Sequence, residues 1–292
     1  MKQRTIKKPV EARGIGLHKG LPVKLRLEPM AENSGIVFYR SDKGVTIPLS
    51  PEYVVDTKMA TVIGKDGVVV STIEHLMSAV YAFGIDNLRI VVDNDEIPIM
   101  DGSAISFVMM IEEAGIEELN APKKFIKITK EVKIEEKEKF AVLKPSEDIS
   151  FEFEINFAHP AIGNQKYLFD FSTQNYIDEI ARARTFGFLK EVQYLRSIGL
   201  ALGGSLDNAI VLDDKGILND SLRFPDEFVR HKILDAIGDM SLMGANFIGE
   251  YKAFASGHHL NHLLTKKVVE ENAYEIVTFE KEGEKALAKA FS

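Results

Sequence analysis

One segment that favours a helix, residues 228–240, constrains this chain more than any other feature of its sequence. His231, Asp235 and Asp239 follow one another at intervals of four residues, which places one imidazole and two carboxylates on a single helical face. Nearly all other positions are apolar, and a helix that is apolar almost all round is a buried helix. Buried carboxylates need a cation, a metal or a protonated histidine as partner. The alternative is a surface helix with an ordinary polar stripe.

The metal alternative has a definite chemistry. A histidine and a carboxylate one helical turn apart are two of the ligands that a catalytic zinc site uses. The chain has no cysteine, so disulfides and Cys-based zinc sites are excluded and any metal must be held by His, Asp or Glu. The metalloprotease patterns H-E-x-x-H and H-x-x-E-H are absent from the sequence.

Composition narrows the class of protein. At 292 residues, the chain is long enough for two domains of common size or one large one. Its net charge of −8 argues against binding nucleic acid through bulk charge, which requires a basic face. The basic start lacks the apolar core of a secretory signal, and no run approaches the roughly 18 apolar residues of a membrane span. We therefore expect a cytoplasmic protein without a transmembrane segment.

The order of strand-like and helix-like segments predicts an α+β fold. Period-two alternation marks strands near 22–28 and 35–39, and a helix is expected over about 72–83. Ser71 and Glu74 have the spacing of a capping box at its start. Further elements are expected as strands at 87–92, 125–134, 140–143, 151–157 and 251–255 and as helices at 104–113 and about 261–271. The polar stretch 118–124 is the expected linker, which gives domains at 1–120 and 125–292.

The two predicted domains repeat one order of elements. A helix carrying His75 is followed by a strand and then by Asp101 at the start of a second helix, 26 residues on (101 − 75). His231 is followed in the same way by Ser256, 25 residues on (256 − 231). We therefore expect two facing domains of sheets packed on helices, in which Glu74 and His75 meet the His231 helix at the interface.

Glu74 and several of the histidines can each be explained by a structural role instead of a catalytic one. Glu74 and His75 could be a capping residue and a surface side chain, and His258, His259 and His262 could form an accidental polar face at the start of a helix. His18 lies in the glycine-rich segment 14–20, a type of turn that can hold an anion but is weak evidence alone.

Several segments taken together are specific. They are 14–20, 71–76, 93–103, 157–160, 183–188, 202–205, 230–235 and 256–261. In these segments and in their order, the chain resembles the UDP-3-O-acyl-N-acetylglucosamine deacetylase family, zinc amidases that catalyse the committed step of lipid A biosynthesis in Gram-negative bacteria. The loop 218–223 looks one residue short, and His259 and His262 stand where a small and a polar residue are expected, so their roles stay unassigned.

The resemblance implies a catalytic metal site. His75, His231 and Asp235 would bind zinc and leave a fourth position for water, which is the catalytic rather than the structural pattern. Two histidines and one carboxylate also suit Fe(II), so the residues leave the identity of the metal open.

The resemblance also implies the groups that handle protons. Glu74 would be the general base for the attacking water, and Thr185 would donate to the oxyanion. His258 would stabilise the oxyanion as a cation or protonate the leaving amine. Asp239 would orient His258 and keep it protonated.

The substrate implied by the resemblance is an acylated UDP-amino sugar. The fold would be two facing α+β domains, each with a small insert, and the second insert would run over about 185–211. Its apolar side chains, which could instead form a local core, would line a passage for the acyl chain: Phe186, Phe188, Val192, Leu195, Leu200 and Leu206. Gly203 and Gly204 would let backbone approach that chain. Further substrate contacts would come from Ser205, Lys232, His18 and His159.

The predicted activity is hydrolysis of the N-acetyl group of UDP-3-O-acyl-N-acetylglucosamine with release of acetate, by a monomer. One alternative is a metal amidohydrolase that acts on another N-acyl substrate, against which the apolar insert argues. The other is a non-enzymatic α+β module such as an RNA-binding domain, against which the acidic charge and the His/Asp/Glu set argue.

Overall fold

The structure is a computed structural model that describes residues 1–279 and 284–292. The strands of the first half are β1 (Lys2–Ile6), β2 (Val10–Ile15), β3 (Pro22–Pro29), β4 (Ile36–Arg40), β5 (Val45–Pro48), β6 (Val54–Asp56), β7 (Val62–Lys65), β8 (Val68–Val70), β9 (Leu88–Val92) and β10 (Ile116–Pro122). Its helices are α1 (Glu74–Ala82) and α2 (Ile105–Ala114).

The second half continues with both kinds of element. Its strands are β11 (Phe125–Ile128), β12 (Val132–Glu136), β13 (Lys139–Lys144), β14 (Ile149–Phe157), β15 (Gly163–Asp170), β16 (Phe186–Phe188), β17 (Ile210–Leu212), β18 (Phe247–Phe254) and β19 (Tyr274–Val277). Its helices are α3 (Thr173–Asn175), α4 (Leu189–Ser197), α5 (Glu227–Met240), α6 (His258–Glu270) and α7 (Glu284–Ala290). The predicted α+β fold class is confirmed.

The two halves contain sheets with the same strand order. The first is β2-β3-β9-β4-β5 and the second contains β12-β13-β18-β14-β15. In both, the central strand, β9 or β18, pairs antiparallel with one hairpin and parallel with the other. Each central strand is preceded by a helix, α1 or α5, and followed by another, α2 or α6. The architecture thus repeats one α+β unit, while the domain boundaries at residues 120 and 125 stay a prediction.

Helices α1 and α5 pack against each other, and their backbones meet next to Glu74. Gly238 of α5 makes this possible, because a Cβ there would lie 2.0 Å from the carbonyl oxygen of Glu74. Every residue of α1 is buried, and so are most of α5, including His231, Asp235 and Asp239. The polar face of α5 is therefore an internal face, as its apolar surroundings predict, and the surface-helix alternative is wrong.

Three local predictions are wrong. The capping box at Ser71 and Glu74 does not form: α1 begins at Glu74 without a side-chain cap, and the Glu74 carboxylate accepts the backbone N–H of Thr61 instead. The expected linker 118–124 lies largely in β10, which pairs with β1. The single strand expected over 125–134 is two strands, β11 and β12. Strand pairing between distant segments decides the last two, and local composition does not show it.

Two inserts flank the helices. The first is the small sheet β6-β7-β8, and the second runs from β16 through α4 to β17, which pairs parallel with β16. The second insert is fixed to the turn at residues 16–20, because Leu202 and Gly203 donate backbone N–H groups to the carbonyls of His18 and Leu17. A Cβ on Gly203 would lie 2.2 Å from the carbonyl oxygen of Gly16, so this glycine serves contact with the chain's own backbone. Within the residues that the structure describes, no helix combines the length and apolarity needed to cross a bilayer.

Candidate active site

Two histidines and one carboxylate from α1 and α5 converge at the interface of the two halves. His75 Nε2 and His231 Nε2 each lie 3.3 Å from Asp235 Oδ1. The two imidazole rings meet nearly edge to face, with centroids 4.9 Å apart. All three side chains are buried, and their ligand atoms form a group that can hold a metal ion.

The donor set fits a tetrahedral metal. Ligand atoms that each lie about 2.0–2.1 Å from zinc in a tetrahedral site are themselves about 3.3 Å apart, which matches both nitrogen–oxygen distances. Asp235 Oδ1 is buried and has no hydrogen-bond partner among the described residues, which is costly unless a cation satisfies it. His231 Nδ1 lies 2.9 Å from the carbonyl oxygen of Ala183, which fixes the proton there and leaves Nε2 as the ligand atom.

The pKa values of this group of side chains also indicate that it can hold a positive charge. Burial lowers the pKa of His231, whereas at His75 the same effect of burial is overcome by Asp235, which raises the pKa of that ring. Burial alone would raise the pKa of Asp235, but the two neighbouring histidines hold it well below its ordinary value. The carboxylate is therefore anionic and faces two imidazoles.

Glu74 lies beside this group with its two oxygens in different surroundings. Oε2 accepts the backbone N–H of Thr61 at 3.1 Å, and Oε1 lies 3.4 Å from His258 Nε2. The side chain is only 3% exposed, and burial raises its pKa above the ordinary value. A carboxylate with a raised pKa at the edge of a cavity is suited to accept a proton near neutral pH.

The buried Asp239 and the half-buried His258 form a hydrogen-bonded pair. His258 Nδ1 lies 2.8 Å from Asp239 Oδ2, and Asn261 donates to the same oxygen at 2.9 Å. Burial by itself would lower the pKa of His258, but Asp239 and Glu74 overcome it and raise that pKa to about 10. His258 is therefore an imidazolium at neutral pH, held with Nε2 toward Glu74.

A cavity of about 410 Å³ opens over these groups. Its walls include Glu74, all three residues of the possible metal group and His258, and also three of the predicted substrate or oxyanion contacts: Thr185, Lys232 and His18. The backbone of Thr185 is fixed on both sides, because it donates to Gly102 and accepts from Ile210. Lys232 Nζ lies 3.7 Å from Asp235 Oδ2 and 5.6 Å from the centroid of Phe186.

The segment 14–20 holds the chain's own anion. The Glu96 carboxylate accepts the backbone N–H groups of His18 and Lys19 at 2.9 and 3.0 Å, and it lies against Gly16. The place that a bound anion could take in this turn is therefore filled. The imidazole of His18 lines the cavity, and its buried Nδ1 has no hydrogen-bond partner among the described residues.

A second cavity of about 400 Å³ adjoins the first and is mainly apolar. The two share His18, Leu17, Met59, Thr185 and Phe186 in their walls. The predicted passage residues that line the second cavity are Phe186, Val192, Leu195, Gly204 and Leu206, and the predicted substrate contact Ser205 lines it too. Leu200 and Phe188 are not in its walls.

His159 and Phe188 lie apart from both cavities. Nδ1 of His159 accepts the backbone N–H of Ala161, and its Nε2 lies 2.6 Å from the carbonyl oxygen of Asp213. The Phe188 ring packs on His159 and on Phe157. Both nitrogens of His159 are thus occupied by backbone groups, so the structure does not bring this side chain to the cavities.

Sequence reasoning missed residues that support the site. Thr61 and Asn261 both donate to Asp239, and Met59 stands at the junction of the two cavities. Asn261 lies in the family-matching segment 256–261, but its contact with Asp239 has no signal in the sequence. Thr61 and Met59 belong to a short irregular stretch with no periodicity.

A buried pair of histidines with one carboxylate, next to a second carboxylate and a third histidine, is typical of metal-dependent hydrolases. Comparisons with known proteins identify the family of hydrolases to which this arrangement belongs. Residues 3–270 match the model of the family UDP-3-O-acyl N-acetylglycosamine deacetylase.

Relatives that match nearly the whole chain carry a deacetylase name of the same kind. The chain is 85% identical to UDP-3-O-acyl-N-acetylglucosamine deacetylase from Nautilia profundicola, over all of both chains. It is 65% identical to the enzyme of that name from Aliarcobacter butzleri, over 98% of this chain and 96% of the relative, and 62% identical to that from Sulfurimonas denitrificans, over all of both. The chain belongs to the UDP-3-O-acyl N-acetylglycosamine deacetylase family. It is a hydrolase of an amide bond, and the family is one of metalloenzymes.

Proposed function

We propose that this chain removes the acetyl group from the amino nitrogen of a UDP-3-O-acyl-N-acetylglucosamine and releases acetate, the step that leads to lipid A. The observation that carries the proposal is the unpartnered, buried Asp235 Oδ1 at 3.3 Å from two histidines, beside Glu74 and an apolar cavity. Family membership and relatives of that name support the substrate.

His75, His231 and Asp235 would hold the metal, and we propose zinc because nitrogen and carboxylate ligands at tetrahedral spacing suit it, although Fe(II) takes the same donors. A bound metal of this kind lowers the pKa of a water and polarises an amide carbonyl. The chain's own residues supply the positioning and the proton transfers.

Glu74 accepts the proton of the water that attacks the acetyl carbonyl carbon. The Thr185 hydroxyl donates to the carbonyl oxygen as negative charge develops on it, since its backbone is fixed at the cavity wall. His258 provides positive charge and then its Nε2 proton to the amine nitrogen as the carbon–nitrogen bond breaks. Asp239 holds Nδ1 of His258 throughout. Acetate and the amine leave, with the second proton of the attacking water taken up by the amine, and the proton on Glu74 returns to His258 across 3.4 Å.

The joined cavities fit an amphiphilic substrate. We place the amino sugar in the polar cavity and the 3-O-acyl chain in the apolar one, between Phe186 and the residues of the second insert. Gly204 and Ser205 form part of the passage wall, and Lys232 and His18 lie where the polar end of the substrate enters. His159 and Phe188 pack on each other, and we propose that they support the strand ends that lie near the nucleotide of the substrate.

One chain supplies both halves of the site, so we propose that a monomer is active. His75 comes from α1, and His231 and Asp235 come from α5 of the same chain. Sedimentation of the active protein as a dimer that loses activity on dilution would contradict this.

The test measures metal content and acetate release on one set of proteins. Wild type is expected to hold about one divalent metal per chain and to release acetate from the acylated nucleotide sugar. His75→Ala, His231→Ala and Asp235→Ala are each expected to lose metal and activity. His262→Ala is the matched control, because it lies on α6 outside both cavities, and it should keep both. Wild-type metal content in all three variants would contradict the ligand assignment. Metal-loaded wild type that releases no acetate would contradict the proposed function.

A further inference from the structure

Thr61 is a buried residue that touches both carboxylates of the proton-transfer machinery. Its backbone N–H donates to Glu74 Oε2 at 3.1 Å, and its hydroxyl donates to Asp239 Oδ1 at 2.6 Å. Its carbonyl oxygen accepts the backbone N–H of Ile73, the residue before α1. The side chain is 1% exposed and immediately precedes β7 of the first insert.

The hydroxyl of Thr61 decides which oxygen of Asp239 faces His258. Asp239 Oδ1 is occupied by Thr61, while Oδ2 accepts from both His258 and Asn261. A carboxylate can rotate about its terminal torsion, which has a broad profile, unless donors fix its plane. With one donor on Oδ1 and two on Oδ2, the carboxylate plane is set, and so is the imidazole that it holds.

The backbone N–H of Thr61 has the corresponding effect on Glu74. It occupies Oε2 and leaves Oε1 as the oxygen 3.4 Å from His258 Nε2. Glu74 lies on α1 and Asp239 on α5, so Thr61 ties groups from both halves of the molecule to one point of the first insert. This gives the first insert a part in the chemistry that its sequence does not indicate.

We propose that Thr61 is a positioning residue for the deacetylation reaction, whose hydroxyl aligns Asp239 and thereby His258 for proton transfer. The inference rests on the proposed roles of Glu74, His258 and Asp239. Thr61 lines neither cavity of the site, so it acts through these side chains and not on the substrate.

The first experiment removes only the hydroxyl. Thr61→Val keeps the shape and the backbone N–H to Glu74, and we expect kcat to fall by about ten- to a hundred-fold, part of the usual contribution of acid–base catalysis, with KM and metal content nearly unchanged. Thr61→Ser restores the donor and should recover kcat to within about threefold of wild type. Thr265→Val is the matched control: Thr265 is also fully buried, but its hydroxyl bonds the carbonyl of His262 within α6, so kcat should stay at the wild-type value.

The second experiment asks whether Thr61 acts through Asp239. In an Asp239→Asn background, Thr61→Val should add less than about a twofold loss, because residues that act as a unit are strongly non-additive. Losses that multiply fully in the double variant would overturn the proposal. If Thr61→Val folds poorly by thermal melting, Thr61→Ala against Thr61→Ser repeats the comparison without the β-branched side chain.

The outcomes separate this inference from the proposed function. Normal kcat in Thr61→Val or Thr61→Ala, together with a large loss in Asp239→Asn, overturns only the role of Thr61. Normal activity in Asp239→Asn overturns the proposed pair of His258 and Asp239, and the role of Thr61 with it.

Discussion

At the scale of single residues, Glu74 is a carboxylate whose structural and chemical roles can be separated. One oxygen is held by the Thr61 N–H, and the other faces His258 and the cavity. Glu74→Gln keeps the size and the acceptor oxygen but cannot take a proton. We expect folding and metal content near wild type and a loss in kcat of about a hundred-fold or more.

The measurement pairs kcat with metal analysis and a thermal melt on the same preparation. Glu52→Gln, a change of the same kind on the exposed turn at Pro51–Tyr53, serves as the control and should leave kcat unaltered. Full activity in Glu74→Gln would reduce Glu74 to a hydrogen-bonding residue.

The pH dependence of activity follows from His258. Its pKa is raised to about 10, so the imidazolium dominates at neutral pH and is lost only as the pH rises through that value. Asp239→Asn removes the carboxylate that does most to raise this pKa, so the pKa falls. The alkaline limb of the kcat/KM profile should therefore move to lower pH, and the maximum should drop. Because the site is coupled, the limbs report the whole group of residues. A profile that overlays the wild type would show that Asp239 and His258 are not coupled.

The pair of His258 and Asp239 also makes the free energy of unfolding depend on pH. Because the pKa of His258 is raised in the folded protein, protonated His258 stabilises the fold. This stabilisation is fully present below the unfolded-state pKa of a histidine, about 6.5, and is lost as the pH rises through about 10.

At the scale of elements, the crossing of α1 and α5 depends on Gly238. Alanine normally favours a helix over glycine by about 1 kcal/mol, which alone would stabilise α5. A Cβ at Gly238, however, would lie 2.0 Å from the backbone carbonyl oxygen of Glu74, and no rotamer change relieves a clash with backbone. The helices must separate, so we expect Gly238→Ala to lower the free energy of unfolding by about 1–3 kcal/mol and to weaken metal binding.

Urea unfolding and metal titration check this prediction. Gly216→Ala is the control, because its Cβ would meet nothing within 4 Å, and its stability should stay near wild type. Unchanged stability and metal affinity in Gly238→Ala would mean that the helices tolerate a wider crossing.

The elements also show what local sequence can predict. The buried face of α5 follows from period and composition, and the ends of α1 and α2 follow from Gly84 and Gly115, which both adopt positive φ. Ser71 and Glu74 have the spacing of a capping box, but the box does not form because the Glu74 carboxylate accepts the backbone N–H of Thr61, 13 residues earlier. The pairing of β1 with β10 joins segments more than a hundred residues apart, a choice that neither segment encodes alone. The resemblance to a family assigned roles to residues that spacing left open, and those roles stay predictions, yet it gave no hint of Thr61.

At the scale of the whole molecule, the apolar cavity is built by both halves. Leu17, His18 and Met59 come from the first half, and the second insert closes the other side. The hydrogen bonds from Leu202 and Gly203 to the turn at 16–20 hold the two sides together. The width of this cavity is therefore a property of the assembled fold, which the apolar residues of the insert alone could not define.

The passage predicts that the acyl chain of the substrate contributes much of the catalytic efficiency. Each buried methylene is worth about 0.8 kcal/mol, and remote binding energy of this kind supports the chemical step. For wild type, removal of the 3-O-acyl chain from the substrate should lower kcat/KM by about several orders of magnitude. Gly204→Phe would place a ring in the passage, since Gly204 lines it and a Cβ there contacts Leu17 at 3.6 Å.

Gly204→Phe should therefore lower kcat/KM most for long-chain substrates and spare a chain-free analogue, while metal content stays at the wild-type level. Gly204→Ala is the matched control, because its Cβ fits at ordinary contact distance from Leu17 and comes within 3.3 Å only of the Ala201 carbonyl oxygen, so the acylated substrate should lose little. The measurement is kcat/KM for acylated and chain-free nucleotide sugars with all three proteins. Equal turnover of both substrates by wild type would refute the passage and would favour a general N-acyl hydrolase, because the apolar cavity would then contribute nothing to selection.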